Sequence, residues 1–151
     1  MITVNGLDEL KALVGKDLGH SSWLEITQER VNTFADATGD QQWIHVDVER
    51  AAAGPFGGPI AHGYLTLSLV IPLFSEILKI EGIKMGINYG LDKVRFPNPV
   101  RVGSKIRLGA KVVSVDDVPG NGTQTVFDFT VEIDGVDKPA CVARPVYRHY
   151  A

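Results

Sequence analysis

Asp40 and His45 stand five residues apart in the stretch TGDQQWIHVD, Thr38 to Asp47. A carboxylate and an imidazole that meet can share one water. The carboxylate takes its proton while the imidazole orients it or handles a second proton. On a continuous helix the two side chains would point about 140° apart, at about 100° per residue. On a strand, their odd spacing sends them to opposite faces. They converge only if the segment bends, and Gly39 supplies a place for a bend at its start. The competing role is structural: Asp40 caps a turn and His45 satisfies a backbone carbonyl.

A second constellation follows at IAHG, Ile60 to Gly63, which leads straight into a long apolar run without a Ser, Thr, Asp or Asn to cap it. Free N–H groups at a helix start, with the macrodipole behind them, favour negative charge. Gly63 has no side chain, so a ligand oxygen could come close to its N–H. An oxygen that gains charge during reaction, such as a thioester carbonyl turning enolate-like, is what such donors stabilise. Close packing is the alternative role for Gly63, and a satisfied core histidine the alternative for His62. Taken with Asp40 and His45, the two describe a water activator facing an oxyanion site.

Several elements must position these groups. Leu7 to Gly15 reads as a short amphipathic helix and Ser21 to Thr27 as a strand. Val31, Phe34, Ala35 and Thr38 then recur at helical spacing, with Thr27 as N-cap and Gly39 as the left-handed stop. A Gly/Pro-rich loop, Ala51 to Gly63, precedes the apolar run Tyr64 to Leu78. That run is apolar on nearly every face, which predicts one long helix surrounded by protein, kinked or interrupted at Pro72. Lys84 to Phe96, Ser104 to Asp116, Thr123 to Asp134 and Lys138 to Tyr150 alternate and are β-branched, with turn residues between them. Helices followed by strands argue an α+β class, with a curved antiparallel five-stranded sheet around one central helix. No repeat or linker divides residues 1–151, so a single domain is expected.

Composition narrows the chemistry. At 151 residues, 44% hydrophobic and 22% charged, the chain reads as one globular domain, able to bury roughly 70% of its unfolded surface. Its net charge of -3, without like-charge blocks, gives no nucleic-acid surface. The longest apolar stretch is too short and too interrupted for a membrane span, and no signal peptide is expected. Cys141, the single cysteine, reads as a small buried hydrophobe in a reducing cytoplasm. No H-x-x-x-H or C-x-x-C pair suggests a metal, and neither a nucleophile elbow, a P-loop nor a dinucleotide fingerprint is present. No cofactor is expected.

TGDQQWIHVDVERA followed by GGPIAHGYLTLSLV closely resembles the MaoC-like dehydratases, which include the (R)-specific enoyl-CoA hydratases. YGLDKVRFPNPVRVGSKI, Tyr89 to Ile106, looks like the strand and turn after that family's central helix. The resemblance runs from Ser21 to the C-terminus, and the small single-domain NodN-like branch is the nearest match. It implies a hot-dog fold, a homodimer, and reversible hydration of a trans-2-enoyl thioester, on CoA or a carrier protein, to a (3R)-hydroxyacyl thioester. It places the family's acid at Asp40, its histidine at His45 and its oxyanion-binding amide at Gly63. The usual Asn and Pro are Gln42 and Trp43 here. Gln42 and His62 are candidates for positioning the water or its loop, and Trp43 for reshaping the acyl entrance. Lys84, Lys93 and Arg95 are candidates for the CoA phosphates. A hot-dog thioesterase, which usually carries its acid on the central helix where only Glu76 is available, and a non-catalytic partner of a heterodimeric dehydratase are the rival functions.

Overall fold

In the computed structural model, which describes residues 1–151, the chain opens with β1 (Ile2–Asn5) and α1 (Gly6–Lys11), then β2 (Asp17–His20) and the two-residue β3 (Leu24–Glu25). The expected strand Ser21–Thr27 is therefore mostly irregular. Ser21 explains it. Its hydroxyl accepts the Leu108 N–H at 2.9 Å, a bond a ladder carbonyl would otherwise make, while Glu76 accepts the Ser22 N–H at 2.8 Å. The hydrogen bond from the Ser22 N–H holds Glu76 below the usual carboxylate range. α2 (Gln28–Thr38) starts on Thr27, which accepts from the Arg30 N–H at 3.2 Å, and stops on Gly39 at φ 79°, both as the sequence indicates. α3 (Trp43–Val46) and α4 (Val48–Ala52) follow, and Ile60 to His62 lead into α5 (Gly63–Ser68) and α6 (Val70–Ser75). The second half is β4 (Leu78–Glu81), β5 (Met85–Arg95), β6 (Lys105–Val118), β7 (Gly122–Ile133) and β8 (Val136–Tyr150).

The large sheet has the order β2-β6-β7-β8-β5, antiparallel throughout, with β3 also on β6. Six strands thus fill five lanes, because β2 and β3 share one. Bulges in the β5–β8, β6–β7 and β7–β8 ladders bend it. Inward positions Ile106, Leu108, Val112, Phe127, Phe129 and Val131 meet Leu65, Leu69, Val70, Leu73 and Phe74 of α5 and α6. Phe74 anchors the layer, its ring 4.8 Å from Phe127 and 5.0 Å from Phe129. Truncating a core aromatic of this kind to Ala costs about 3–5 kcal/mol. A separate parallel pair, β1 with β4, was not expected from the sequence.

The central helix differs from expectation in two ways. Pro72 has no N–H for the Ser68 carbonyl, so the ladder breaks and Leu69 separates α5 from α6. Nor is the helix covered on every face: Tyr64 is 72% and Ile71 44% exposed. The neighbouring edge strand β5 turns Gly86, Asn88 and Gly90 toward it. These small and polar residues leave an open groove of about 430 Å³ between helix and strand rather than a packed seam.

Beyond the aromatic cluster, the core contains polar groups. Thr123 and Thr125 are fully buried and His149 nearly so, and Thr123 Oγ1, Thr125 Oγ1 and His149 Nδ1 have no hydrogen-bond partner. Phe74, Ser75, Leu78, Ile80 and Asn88 line the same cavity as His149. The other titratable group there is Tyr147, pushed up by burial to about 12. Burial holds His149 below 6.5, so the native chain refuses a proton that the unfolded chain accepts. The stability it preserves is complete above about pH 6.5 and declines as pH falls through the lowered native value. His149→Phe should therefore reduce the loss of urea midpoint between about pH 6.5 and 5. An unchanged pH slope in that variant would assign the acid sensitivity to other groups.

Candidate active site

Gly39 turns the chain out of α2, and Asp40 is the first side chain beyond the turn. Gln42 then leads into the single turn of α3, whose His45 N–H bonds the Gln42 carbonyl at 3.0 Å. The bend that the five-residue spacing requires is therefore a left-handed residue followed by a new helical turn. Residues 60–62 hold it closed. The Ile60 N–H bonds the Ile44 carbonyl at 3.0 Å, and the Ile60 carbonyl accepts from His45 Nδ1 at 2.7 Å. His62 Nε2 donates to the Asp40 carbonyl at 2.9 Å, while Ala61 N–H reaches Val100 at 2.7 Å.

Because a carbonyl can only accept, His45 carries its proton on Nδ1 and leaves Nε2 as a lone pair. Desolvation lowers its pKa, and the neighbouring His62 acts in the same sense, outweighing the Ile60 bond and Asp40. His45 is thus a neutral acceptor. The imidazoles of His45 and His62 stack at 3.9 Å, and Phe34 lies 4.8 Å from His62 on its other side. Atoms of Asp40, His45 and His62 come within 4.8 Å of one another. His45 lines a cavity of about 350 Å³ together with Gly63, Thr66, Phe56, Phe96 and Asn98, and Asp40 stands exposed beside it.

Gly63 opens α5 with no side-chain cap before it. Its lack of a side chain has a second use: a Cβ there would meet the Phe96 ring at 3.2–3.3 Å. Packing against Phe96 therefore favours glycine at this position. Asp40, His45, His62 and Gly63 are brought together as the sequence suggests. Gln42 is engaged through its backbone, and its amide makes no hydrogen bond. Trp43 lies away from the cavity, under the Arg50 guanidinium at 4.2 Å and against Gly54. Of the cations, Arg95 precedes Phe96 in the chain, and its guanidinium donates to the Val94 carbonyl at 2.7 Å. Lys93 lies opposite Arg144 in a separate depression, and Lys84 immediately precedes β5, at the end of that strand opposite to Phe96. Cys141 is fully buried and pushed up to about 11, as an inert thiol should be. Phe96, Thr66 and the Ile60 carbonyl were not singled out in the sequence. Phe96 and Thr66 reach the site only through tertiary packing, and a carbonyl has no residue-type signal.

Residues 9–132 match the model of the MaoC like domain. The chain is also 54% identical over 152 residues to the 3-hydroxyacyl-thioester dehydratase Z of Mycobacterium tuberculosis, covering 100% of both. It belongs to the MaoC-like dehydratase family. Nodulation protein N of Rhizobium meliloti is 49% identical over 140 residues, covering 91% of this chain and 86% of that one. The (R)-hydratase from A. caviae, a solved structure, shares the fold at a TM-score of 0.70 and 24% identity, over 89% of this chain and 94% of that chain. The architecture is the hot-dog fold, and this MaoC-like dehydratase is a hydro-lyase. No helix in it is long and apolar enough to cross a membrane.

Gly63→Ala should cost about 1–3 kcal/mol in urea unfolding, because the added methyl must displace the Phe96 ring. In a Phe96→Ala background the same change should cost markedly less. Additive costs would show that Phe96 is not what keeps position 63 glycine.

Proposed function

We propose that the chain is an (R)-specific enoyl-thioester hydratase, adding water reversibly and syn to a trans-2-enoyl thioester to give the (3R)-hydroxyacyl thioester. The observation that carries this reading is the Nδ1–H of His45 committed to Ile60, which leaves Nε2 as an acceptor beside Asp40. Water donates one proton toward Asp40 and the other toward His45 Nε2. Asp40 takes its proton as the oxygen attacks C3, and the electron pair moves through C2 to the thioester oxygen. The Gly63 N–H stabilises that oxygen. Neutral His45 has no Nε2 proton to give at the outset, so the proton reaching C2 is one the water released. His62 positions Asp40 through its carbonyl. The CoA or carrier-protein arm belongs to the substrate, so the step calls for no cofactor, and Arg95, next in the chain to Phe96 of the cavity wall, is the candidate cation for its phosphates. Such a base typically supplies 10²–10⁴-fold in rate, and one oxyanion donor about 10²–10³.

The rivals find less support. Glu76, the thioesterase candidate, is occupied by the Ser22 N–H, and a non-catalytic subunit would not need the Asp40–His45 pair. A reducing cytoplasm suits the buried thiol of Cys141. With crotonyl-CoA, enoyl absorbance should fall without release of free thiol, and the product should be the 3R isomer. Asp40→Asn and His45→Gln should each lose at least about a hundredfold in kcat with the fold intact. Near-normal hydration by either variant would refute the assignment.

The proposal includes a homodimer. β5 is the edge of the sheet, 11 residues long, and it exposes Met85, Ile87, Tyr89 and Leu91, of which Ile87 and Leu91 line the grooves shared with Ile71 of the helix. A long apolar edge invites pairing with another chain, and a second copy presents a matching edge. Sedimentation should give twice the chain mass, and Ile87→Asp should shift it to the monomer. A monomeric wild type would contradict this.

A further inference from the structure

The three side chains around the bend share an imbalance. His45 Nδ1 and His62 Nε2 are each spent on a backbone carbonyl. What remains is His45 Nε2, His62 Nδ1 and the Asp40 carboxylate: three acceptors whose one protein donor is the Gln42 N–H, at a long 3.4 Å from Asp40. A water can donate to two of them, which leaves one lone pair unmet. His62 makes the deficit costly, since it is 2% exposed and its Nδ1 has no partner. A cation answers three neighbouring lone pairs, and metal-binding histidines usually give their second ring N–H to a carbonyl, as both rings do here.

We propose that Asp40, His45 and His62 form a binding site for one divalent transition ion that favours imidazole, zinc foremost, and that this ion blocks the active site reversibly. Two imidazoles and a carboxylate suit zinc, which leaves its fourth position to water. Magnesium and calcium, which need several oxygen ligands, fit it poorly. One nitrogen of each ring and a carboxylate oxygen lie within 4.8 Å of one another, so binding at about 2.0–2.2 Å per ligand draws the three side chains inward. Asp40 is exposed and free to swing. The stacked rings, 24° apart, set their lone pairs side by side rather than converging. Affinity is therefore modest, and the ion acts as an inhibitor rather than a resident cofactor. The inhibition rests on the hydratase reading; the binding does not.

Calorimetric titration of the wild-type protein with zinc, near pH 7.5 where free imidazole is neutral, should show one ion per chain. His62→Gln and Asp40→Asn should each weaken binding by about tenfold or more. His20→Gln, which removes the surface pair His20–Glu132 at 3.3 Å, should leave it unchanged. Cobalt should give visible absorption bands that fade in the same two variants, and magnesium should not compete. Zinc should inhibit enoyl-CoA hydration and a chelator should restore it. No zinc binding below about 1 mM, binding unaltered in Asp40→Asn, binding lost in His20→Gln, or equal binding of magnesium would each overturn the site. Asp40 is exposed, so its variant folds even where His62→Gln does not. Zinc binding without inhibition would overturn the blocking role alone.

Discussion

Three consecutive residues tie the site together, and they do so mainly through their backbone. Ile60 gives its N–H to Ile44 and its carbonyl to His45, Ala61 gives its N–H to Val100, and the His62 ring holds the Asp40 carbonyl. The four bonds reach three parts of the chain: two go to α3, one to the turn after β5, and one to the segment just past α2. The same stretch then becomes the start of α5 and presents Gly63. One strand-like strap thus sets the bend, the tautomer of His45 and the position of Gly63. Hydrogen-bonding groups fixed in place in this way need no reorganisation when charge develops beside them.

The fold around the strap consists of an apolar helix laid on a bulged sheet, and its imperfections are where other molecules can enter. Pro72 interrupts the helix, small residues on β5 keep the edge strand from closing on it, and the apolar side chains of both stay exposed. A helix apolar on all sides in a chain of this size is not evidence that the chain alone covers it. Burial can be completed by a second copy or by an acyl chain, and the sequence pattern is the same in each case.

Much of this was legible in the sequence where the cause is local. Thr27, Gly39 and the alternation of the four long strands gave α2 and β5 to β8 to within two residues, since caps, left-handed glycine and period-two patterning act over a few positions. Asp40, His45 and Gly63 were legible through their motif. The parallel pairing of β1 with β4 was not, because its partners lie 76 residues apart and each is only four residues long. The broken strand at Ser21 depends on a hydroxyl meeting Leu108 from across the sheet. His62 looked like a core histidine or a loop anchor. It is both buried and bound to Asp40, and no spacing rule predicts a contact across 22 residues.

Everything proposed for the site requires His45 to rest neutral, with its proton on Nδ1 and its lone pair on Nε2. Nitrogen NMR of the ring in the free enzyme near pH 7 reports this directly. A protonated Nδ1 beside a pyridine-like Nε2 is the result expected. A protonated Nε2, or an imidazolium, would show that the Ile60 carbonyl does not set the tautomer and that His45 enters the reaction as an acid.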